Sequence, residues 1–475
     1  MTASSQTDPA LLSATELVAL YRGKKLSPVE VVQAVLVRIE RFDPIVNAYQ
    51  HLDAEGALAA ARQSEARWRS GSPKGLVDGV PLGVKDNVMV AGMPSRAGSK
   101  LTSTDPVKID APAVARMKEQ GAVILGKTCM PEYGWKATSD GPLSLTRNPW
   151  DTRMTTGGSS SGAVAAAVLG MGTLQIGSDG GGSIRIPAGF TGVFGIKPTR
   201  ARVPAFPTSP LGTLAHVGPL TRTVADAALM MAVIAQPDAR DVYGWVSPAP
   251  DYASGLEGGV RGLRVAYSPR LGFAPRVHAD VEKAVAAAAK RFEELGAKVE
   301  QADPDFGGDP IAAWNTFWWP AMHMQIQAFG ERFRQLSDPV LVEAAAQSHA
   351  TSVFDYVRAQ LKRAELHNAF ARFHEKYDLL LTPTLPMPAF EAGDLVPRSG
   401  EFGKAWADWA PFSYPFNLTQ QPAASVPCGL TGEGLPVGLQ IVGPIGADER
   451  VLRAARAYET VAPFAMLDAP RVRHS

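Results

Sequence analysis

Two runs of glycine and serine contain the residue types that acyl-transfer chemistry needs. The first run covers residues 157–162 (GGSSSG), and the second covers residues 179–183 (DGGGS). A serine hydroxyl becomes a nucleophile when a base removes its proton, and glycines let backbone N–H groups approach a ligand closely. Tight turns beside a small-residue helix would produce the same composition. The pattern therefore leaves two interpretations, a serine nucleophile with an oxyanion site or a pair of structural turns.

Other motifs fit these runs less well. A phosphate-binding loop needs a lysine and a hydroxyl residue after its last glycine, and residues 177–182 do not fit the dinucleotide pattern G-x-G-x-x-G. Residues 158–162 do match G-x-S-x-G, which would make Ser160 the nucleophile of an α/β-hydrolase-type esterase. That motif follows a buried strand, whereas residues 149–154 are polar and turn-like. The motif therefore remains an alternative that the preceding residues disfavour.

The two runs and their surroundings resemble the amidase signature family of serine hydrolases. Its pattern is a Gly-Gly-Ser-Ser run, then Asp-x-Gly-Gly-Ser followed by Arg and Pro, with a lysine upstream in a Gly-Val-Pro context. The matching residues are Gly157, Gly158, Ser159 and Ser160; Asp179, Gly181, Gly182, Ser183, Arg185 and Pro187; and Lys85. The resemblance covers most of the chain. It implies that Ser183 is the nucleophile, that Ser159 is a bridging serine on a cis peptide bond, and that Lys85 is the base.

A lysine serves as a base only when its neutral form is accessible. Its ordinary pKa of about 10.4 must therefore fall, and removal from water lowers it. The apolar neighbours Val80, Pro81, Leu82, Val84 and Val88 favour burial of Lys85. Ser159 would then carry the proton from Ser183 to Lys85 and return it to the leaving amine.

Further residues are predicted to support this chemistry. The backbone N–H groups of Gly180, Gly181 and Gly182 are expected to face a developing oxyanion. Ser160 is expected to hydrogen-bond to the lysine. Asp179 and Arg185 flank the nucleophile with opposite charges, and we expect them to pair and hold the loop.

Aromatic residues indicate the kind of substrate. The predicted pocket residues are Trp135, Trp314, Trp318, Trp319 and Phe412. Aromatic side chains provide flat apolar walls for bulky or aryl groups, although core packing explains such clusters equally well. We expect amides of aryl or long-chain amines as substrates, with esters and carbamates (urethanes) cleaved by the same chemistry.

Within the family, the main alternative is the glutamine-hydrolysing subunit of a tRNA-dependent amidotransferase. Those subunits usually read Asp-Thr-Gly-Gly-Ser-Ile-Arg-Gln-Pro. Here Gly180 and Ile186 replace the Thr and the Gln, as in stand-alone amidases. A non-catalytic binding module is a third class, and the joint presence of Lys85, Ser159 and Ser183 argues against it.

The elements that must position these residues alternate between helix and strand. Ser27, Pro28 and Glu30 predict a capped helix start. Helical patterns over 113–120 and from 281 onward each precede an extended segment, at 122–125 and 298–301. This order is typical of α/β proteins. With the resemblance, it predicts a single large α/β domain over 1–475, with a central mixed sheet covered by helices on both faces.

Four parts are predicted within that domain. They are N-terminal helices over about 10–70, a signature core over about 75–230, a variable substrate-pocket region over about 236–420 and a C-terminal return to the core over about 421–475.

Composition limits the kinds of binding partner that are expected. Hydrophobic residues make up 45% of the chain, and its net charge of +1 provides no bulk field for nucleic acid or an anionic membrane. The two cysteines lie far apart, and His367 and His374 lack a metal-binding motif, so no metal or cofactor is expected. The chain lacks a signal-peptide pattern and an apolar run of about 18 to 20 residues. We expect a cytoplasmic monomer or homodimer that acts on a small-molecule amide.

Overall fold

An eleven-stranded mixed β-sheet forms the centre of the computed structural model, which describes residues 8–347 and 351–473. Its strands are β1 (Tyr49–Leu52), β2 (Pro81–Lys85), β3 (Val123–Thr128), β6 (Leu174–Asp179), β7 (Phe194–Lys197), β8 (His216–Thr221), β9 (Arg264–Tyr267), β10 (Lys298–Gln301), β11 (Leu379–Pro383), β12 (Ala423–Leu430) and β13 (Pro436–Val442). They lie in the order β1-β3-β2-β6-β8-β7-β12-β13-β11-β9-β10. Strands β4 (Arg147–Asn148) and β5 (Asp151–Thr155) form a separate antiparallel pair.

Helices flank this sheet. They are α1 (Ala14–Arg22), α2 (Pro28–Val46), α3 (Ala54–Ser70), α4 (Pro112–Glu119), α5 (Ser161–Val168), α6 (Arg185–Thr191), α7 (Val224–Ile234), α8 (Ala279–Glu294), α9 (Ile311–Phe329), α10 (Glu331–Leu336), α11 (Pro339–Gln347), α12 (Val353–Lys376), α13 (Pro415–Leu418) and α14 (Asp448–Val461). The predicted capped start of α2 is confirmed, because Ser27 and Glu30 form a reciprocal capping box.

The central strands are covered on both faces. Successive side chains of a strand point to opposite faces, and all residues of β2, β11 and β13 are buried. The predicted α/β fold with a central mixed sheet in one large domain is therefore confirmed for the described residues. Its division into four parts stays a prediction, and residues 1–7, 348–350 and 474–475 of the predicted domain lie outside the described residues.

Parallel pairing brings distant segments to one edge of the sheet. Strand β2 runs parallel to β6, with Val84 opposite Ile176. Parallel neighbours end at the same edge, so Lys85 at the end of β2 lies beside the end of β6. The chain then crosses residues 180–184 before α6 begins, and residues 159–160 lead into α5. The second serine run therefore joins the sheet edge to α6, whereas the first joins β5 of the separate pair to α5.

Among residues 8–347 and 351–473, no helix is long and apolar enough to cross a membrane.

Candidate active site

Lys85 lies at the centre of a cluster of hydroxyl groups at this edge. Its side chain is fully buried, and Nζ lies 2.8 Å from Ser159 Oγ, 3.0 Å from Ser178 Oγ and 3.1 Å from the Ser178 carbonyl oxygen. Burial lowers the pKa of Lys85 to about 7, against the opposing charge of Asp179. The neutral amine is therefore accessible near neutral pH.

The three contacts of Nζ fit both protonation states. An ammonium has three N–H donors and fills all three acceptors. A neutral amine keeps two donors for Ser178 and turns its lone pair towards the Ser159 hydroxyl. Asn87 fixes Ser178 from the other side, with Nδ2 3.1 Å from Ser178 Oγ. The arrangement thus holds a neutral lysine in position to accept a proton from Ser159.

The two serine runs meet through their backbones. The amide N–H of Ser160 donates to the carbonyl oxygen of Ser183 at 3.1 Å. The Gly158–Ser159 peptide bond is cis, as the resemblance implies. Ser159 and Ser183 are both buried residues, 3% and 7% exposed.

Ser160 differs from both of its predicted roles. Its Oγ donates to the Ser178 carbonyl oxygen at 3.3 Å, so it shares an acceptor with Lys85 and does not bond to the lysine itself. The strand before it, β5, belongs to the separate two-stranded pair. The G-x-S-x-G nucleophile of an α/β-hydrolase follows a strand of the main sheet, which β5 is not, and this disfavours the esterase alternative based on Ser160.

The glycine loop, residues 180–182, offers N–H groups beside Ser183. Within the described part of the chain, the amides of Gly180, Gly181 and Ser183 have no hydrogen-bond acceptor. Gly182 departs from its prediction, because its N–H already donates to Asp179 Oδ1 at 2.8 Å. Free donors beside a serine are the arrangement that stabilises an oxyanion.

Asp179 and Arg185 form the predicted ion pair beneath this loop. The contacts are Nε to Oδ2 at 3.0 Å and Nη2 to Oδ1 at 3.1 Å, and both side chains are fully buried. The remaining guanidinium donors bind Ser413 O, Gln440 Oε1 and Asn417 Oδ1, so all five N–H groups are satisfied. Although burial acts to raise the pKa of Asp179, Arg185 holds it well below its usual range.

Comparison with known proteins agrees with this geometry. The family described as Amidase matches residues 30–452. This chain belongs to the amidase signature family. It is 36% identical over 463 residues to an acylamidase of Rhodococcus erythropolis, covering 96% of each chain. It is also 37% identical over 485 residues to a glutamyl-tRNA(Gln) amidotransferase chain of Myxococcus xanthus, covering 97% of this chain and 99% of that one.

A solved structure of a bacterial aryl acylamidase of the same family superposes with a TM-score of 0.89 at 31% identity, covering 96% of this chain and 97% of the other. The protein is accordingly an amide hydrolase that cleaves C–N bonds.

An amide substrate needs a cavity, and one of about 290 Å³, the inner cavity, adjoins the candidate site. Its floor includes Ser178, Asp179 and Gly180. Its walls come mainly from residues 87–89, residues 204–211 and 215–217, Tyr133 and Met322. It therefore reaches the Lys85 end of the site through Ser178.

The predicted aromatic residues take up other places. Trp314 and Trp318 cover the glycine loop: a Cβ at Gly181 would lie 2.7 Å from Trp314 Cζ2, and one at Gly180 would lie 3.0 Å from Trp318 Cζ3. Trp319 packs on Trp135 with ring centroids 6.3 Å apart, and Phe412 is fully buried. None of the five lines the inner cavity.

Sequence reasoning missed Ser178, Asn87 and Asn417. Ser178 directly precedes the predicted Asp179, and a polar residue next to a motif at a strand end was the one available signal. Asn417 lies in α13, and its Nδ2 donates to Asp179 Oδ1 at 2.9 Å. No local pattern marks it, because the contact spans 238 residues.

Proposed function

We propose that this enzyme hydrolyses uncharged carboxamides with bulky or aryl groups through an acyl-enzyme on Ser183. Ser183 Oγ attacks the carbonyl carbon while its proton passes to Ser159 and the Ser159 proton passes to Lys85. The N–H groups of Gly180, Gly181 and Ser183 stabilise the oxyanion. The C–N bond then breaks, and the amine leaves with the proton returned along the same relay.

Water completes the turnover. It attacks the ester carbonyl on Ser183 while the relay removes its proton, and the acid leaves as Ser183 regains its hydrogen. The hydrogen bond from Lys85 Nζ to Ser159 Oγ at 2.8 Å is the observation that carries this proposal. The same acyl chemistry extends to esters and carbamates, because each presents a carbonyl carbon and a leaving heteroatom.

The inner cavity favours uncharged substrates over glutamine. A free glutamine carries an ammonium and a carboxylate, which need partners of opposite charge when they leave water. Among the described residues lining this cavity, Asp179 is the only carboxylate, no lysine or arginine is present, and Asp179 is already paired with Arg185. Burial lowers the pKa of His216 well below its usual value, so this lining residue is neutral.

A substrate panel tests the proposal. Purified native protein and Ser183→Ala are assayed with anilides, fatty amides, amino-acid amides, esters, carbamates and L-glutamine. We expect anilides to be the best substrates, glutamine to be inert and Ser183→Ala to be inactive throughout. Hydrolysis of glutamine alone would establish the glutamine-hydrolysing alternative instead.

A further inference from the structure

Two residues form a wall between the inner cavity and a larger one. The outer cavity, of about 730 Å³, lies between α9, α12 and residues 210–213. Pro210 and Leu211 border both cavities. The Leu211 side chain also reaches the glycine loop, because a Cβ at Gly180 would lie 2.9 Å from Leu211 Cδ1. One leucine side chain therefore stands between the loop beside Ser183 and the outer cavity.

The backbone of this wall is held without the Leu211 side chain. Arg363 of α12 donates to Thr213 Oγ1 at 2.6 Å and to Thr213 O at 3.2 Å. The same guanidinium donates to Leu418 O at 2.7 Å, which anchors it to a second segment. The amide of Leu214 donates to Leu211 O at 3.1 Å. Shortening the Leu211 side chain therefore leaves these contacts in place.

The α9 side of the outer cavity suits a hydrocarbon group, whereas Gln360, His367, Asn368 and Gln420 make another part of the lining polar. Pro320, Ala321 and Met324 of α9 give it apolar walls, and Tyr356 of α12 adds an aromatic face. Its cation, Arg363, already donates to protein acceptors. Its volume lies well within the range of about 300 to 1,000 Å³ that is typical of small-molecule sites, whereas the inner cavity is at the lower limit.

We infer that Leu211 limits the length of the substrate group that lies beside the glycine loop, and that a shorter side chain would let an alkyl group continue into the outer cavity. The inference rests on the proposed function, since it takes the inner cavity as the place of a substrate group. Leu211 is then a specificity-determining residue rather than a catalytic one.

Binding to an inactive protein tests the inference apart from catalysis. In a Ser183→Ala background, the dissociation constants of straight-chain carboxamides and of N-alkyl acetamides are measured by calorimetry for increasing chain length. With Leu211 present, affinity should stop rising once the inner cavity is filled. With Leu211→Ala, affinity in one of the two series should continue to rise by about fourfold for each added methylene.

Met89→Ala is the matched control, because it removes the same number of heavy atoms from a residue that lines the inner cavity and not the outer one. In this variant, the chain length at which affinity stops rising should differ by no more than one methylene from the length found for the Ser183→Ala protein. The inference is wrong if Leu211→Ala leaves both length profiles unchanged, if Met89→Ala extends them equally, or if no amide binds.

Hydrolysis of the same amides by proteins that retain Ser183 separates the two proposals. Length-dependent binding without any hydrolysis would overturn the proposed function and leave the role of Leu211 standing. Hydrolysis with identical length preference in the native protein and Leu211→Ala would overturn the role of Leu211 alone.

Discussion

Gly134 lies against the hydroxyl of Ser159. A Cβ built on Gly134 would stand 2.8 Å from Ser159 Oγ, and the backbone there has a φ of +68°. Real Cβ atoms do not approach an oxygen so closely without displacement of one of the two. The Ser159 hydroxyl is thus positioned by Lys85 on one side and by the absence of a side chain at Gly134 on the other.

Gly134→Ala should therefore lower kcat at least tenfold while changing KM little, because the methyl group displaces Ser159 Oγ from its contact with Lys85 Nζ. Steady-state kinetics on an anilide measure this effect. Gly71→Ala is the matched control, since Gly71 has a φ of +74° with no atom within 4 Å of the built Cβ. It should share the backbone strain and retain full kcat; an equal loss in both variants would refute the steric explanation.

Two alanine substitutions distinguish Ser183 from Ser160 as the nucleophile. Ser183→Ala should abolish hydrolysis, whereas Ser160→Ala should leave measurable activity, because Ser160 Oγ bonds to a carbonyl oxygen that Lys85 also holds. Labelling by a serine-directed fluorophosphonate should follow the same ranking. Labelling that survives in Ser183→Ala and disappears in Ser160→Ala would restore the G-x-S-x-G alternative.

The pH dependence of the rate should follow the lysine. Burial lowers the pKa of Lys85 to about 7, and only the neutral amine accepts a proton, so kcat/KM should rise between about pH 6 and 8 and then level off. Initial rates in buffers of constant ionic strength measure this profile. Lys85→Ala should be nearly inactive at every pH. A native rate that stays constant down to about pH 5 would contradict a lysine base.

The burial of Lys85 should lower the free energy of unfolding by an amount that depends on pH. Between pH 7 and about 10.4 the unfolded lysine is protonated while the native one is neutral, so native stability rises with pH, by up to about 1.4 kcal/mol per pH unit. Lys85→Met removes this dependence. The free energy of unfolding of Lys85→Met minus that of the native protein should therefore be largest at pH 7 and fall towards pH 10. Urea unfolding at each pH measures both values. A difference that is constant over that range would disprove the linkage.

Replacing Arg185 should destabilise the fold. Arg185→Lys keeps the charge but loses the planar set of five donors, so part of the Asp179 carboxylate and the oxygens of Gln440 and Asn417 lose their partners. We expect the free energy of unfolding to fall by roughly 3 kcal/mol. Arg291→Lys makes the same change in an exposed pair with Glu294 and should cost less than about 0.5 kcal/mol. Equal losses would contradict the importance of burial.

Local chemistry made much of the site predictable. The roles of Ser159 and Ser183 were expected from the family resemblance, because the residue types alone also allowed a pair of structural turns. The pairing of Asp179 with Arg185 was expected from their opposite charges beside Ser183. Lys85 followed from the family pattern and from its apolar neighbours. The helix starts were equally local, as the capping box at Ser27 and Glu30 illustrates.

Contacts between residues that are distant in the sequence could not be predicted from it. Ser178 meets Lys85 across 93 residues because β2 and β6 pair in parallel. The inner cavity is lined largely by residues 204–211 and 215–217, whose sequence carries no aromatic cluster. The tryptophans pack on the glycine loop or on each other instead. The N–H of Gly182 was misassigned because the sequence does not show that the Asp179 carboxylate folds back onto it.

Three of the acceptors around Arg185 come from much later in the chain. Ser413, Gln440 and Asn417 follow it by 228, 255 and 232 residues. While the polypeptide is being synthesised, the loop with Ser183 leaves the ribosome long before those groups exist. The loop with Ser183 therefore gains these supports only after residue 440 has been synthesised, and a chain that stops before residue 413 carries the serines and the lysine without three of the acceptors that hold Arg185.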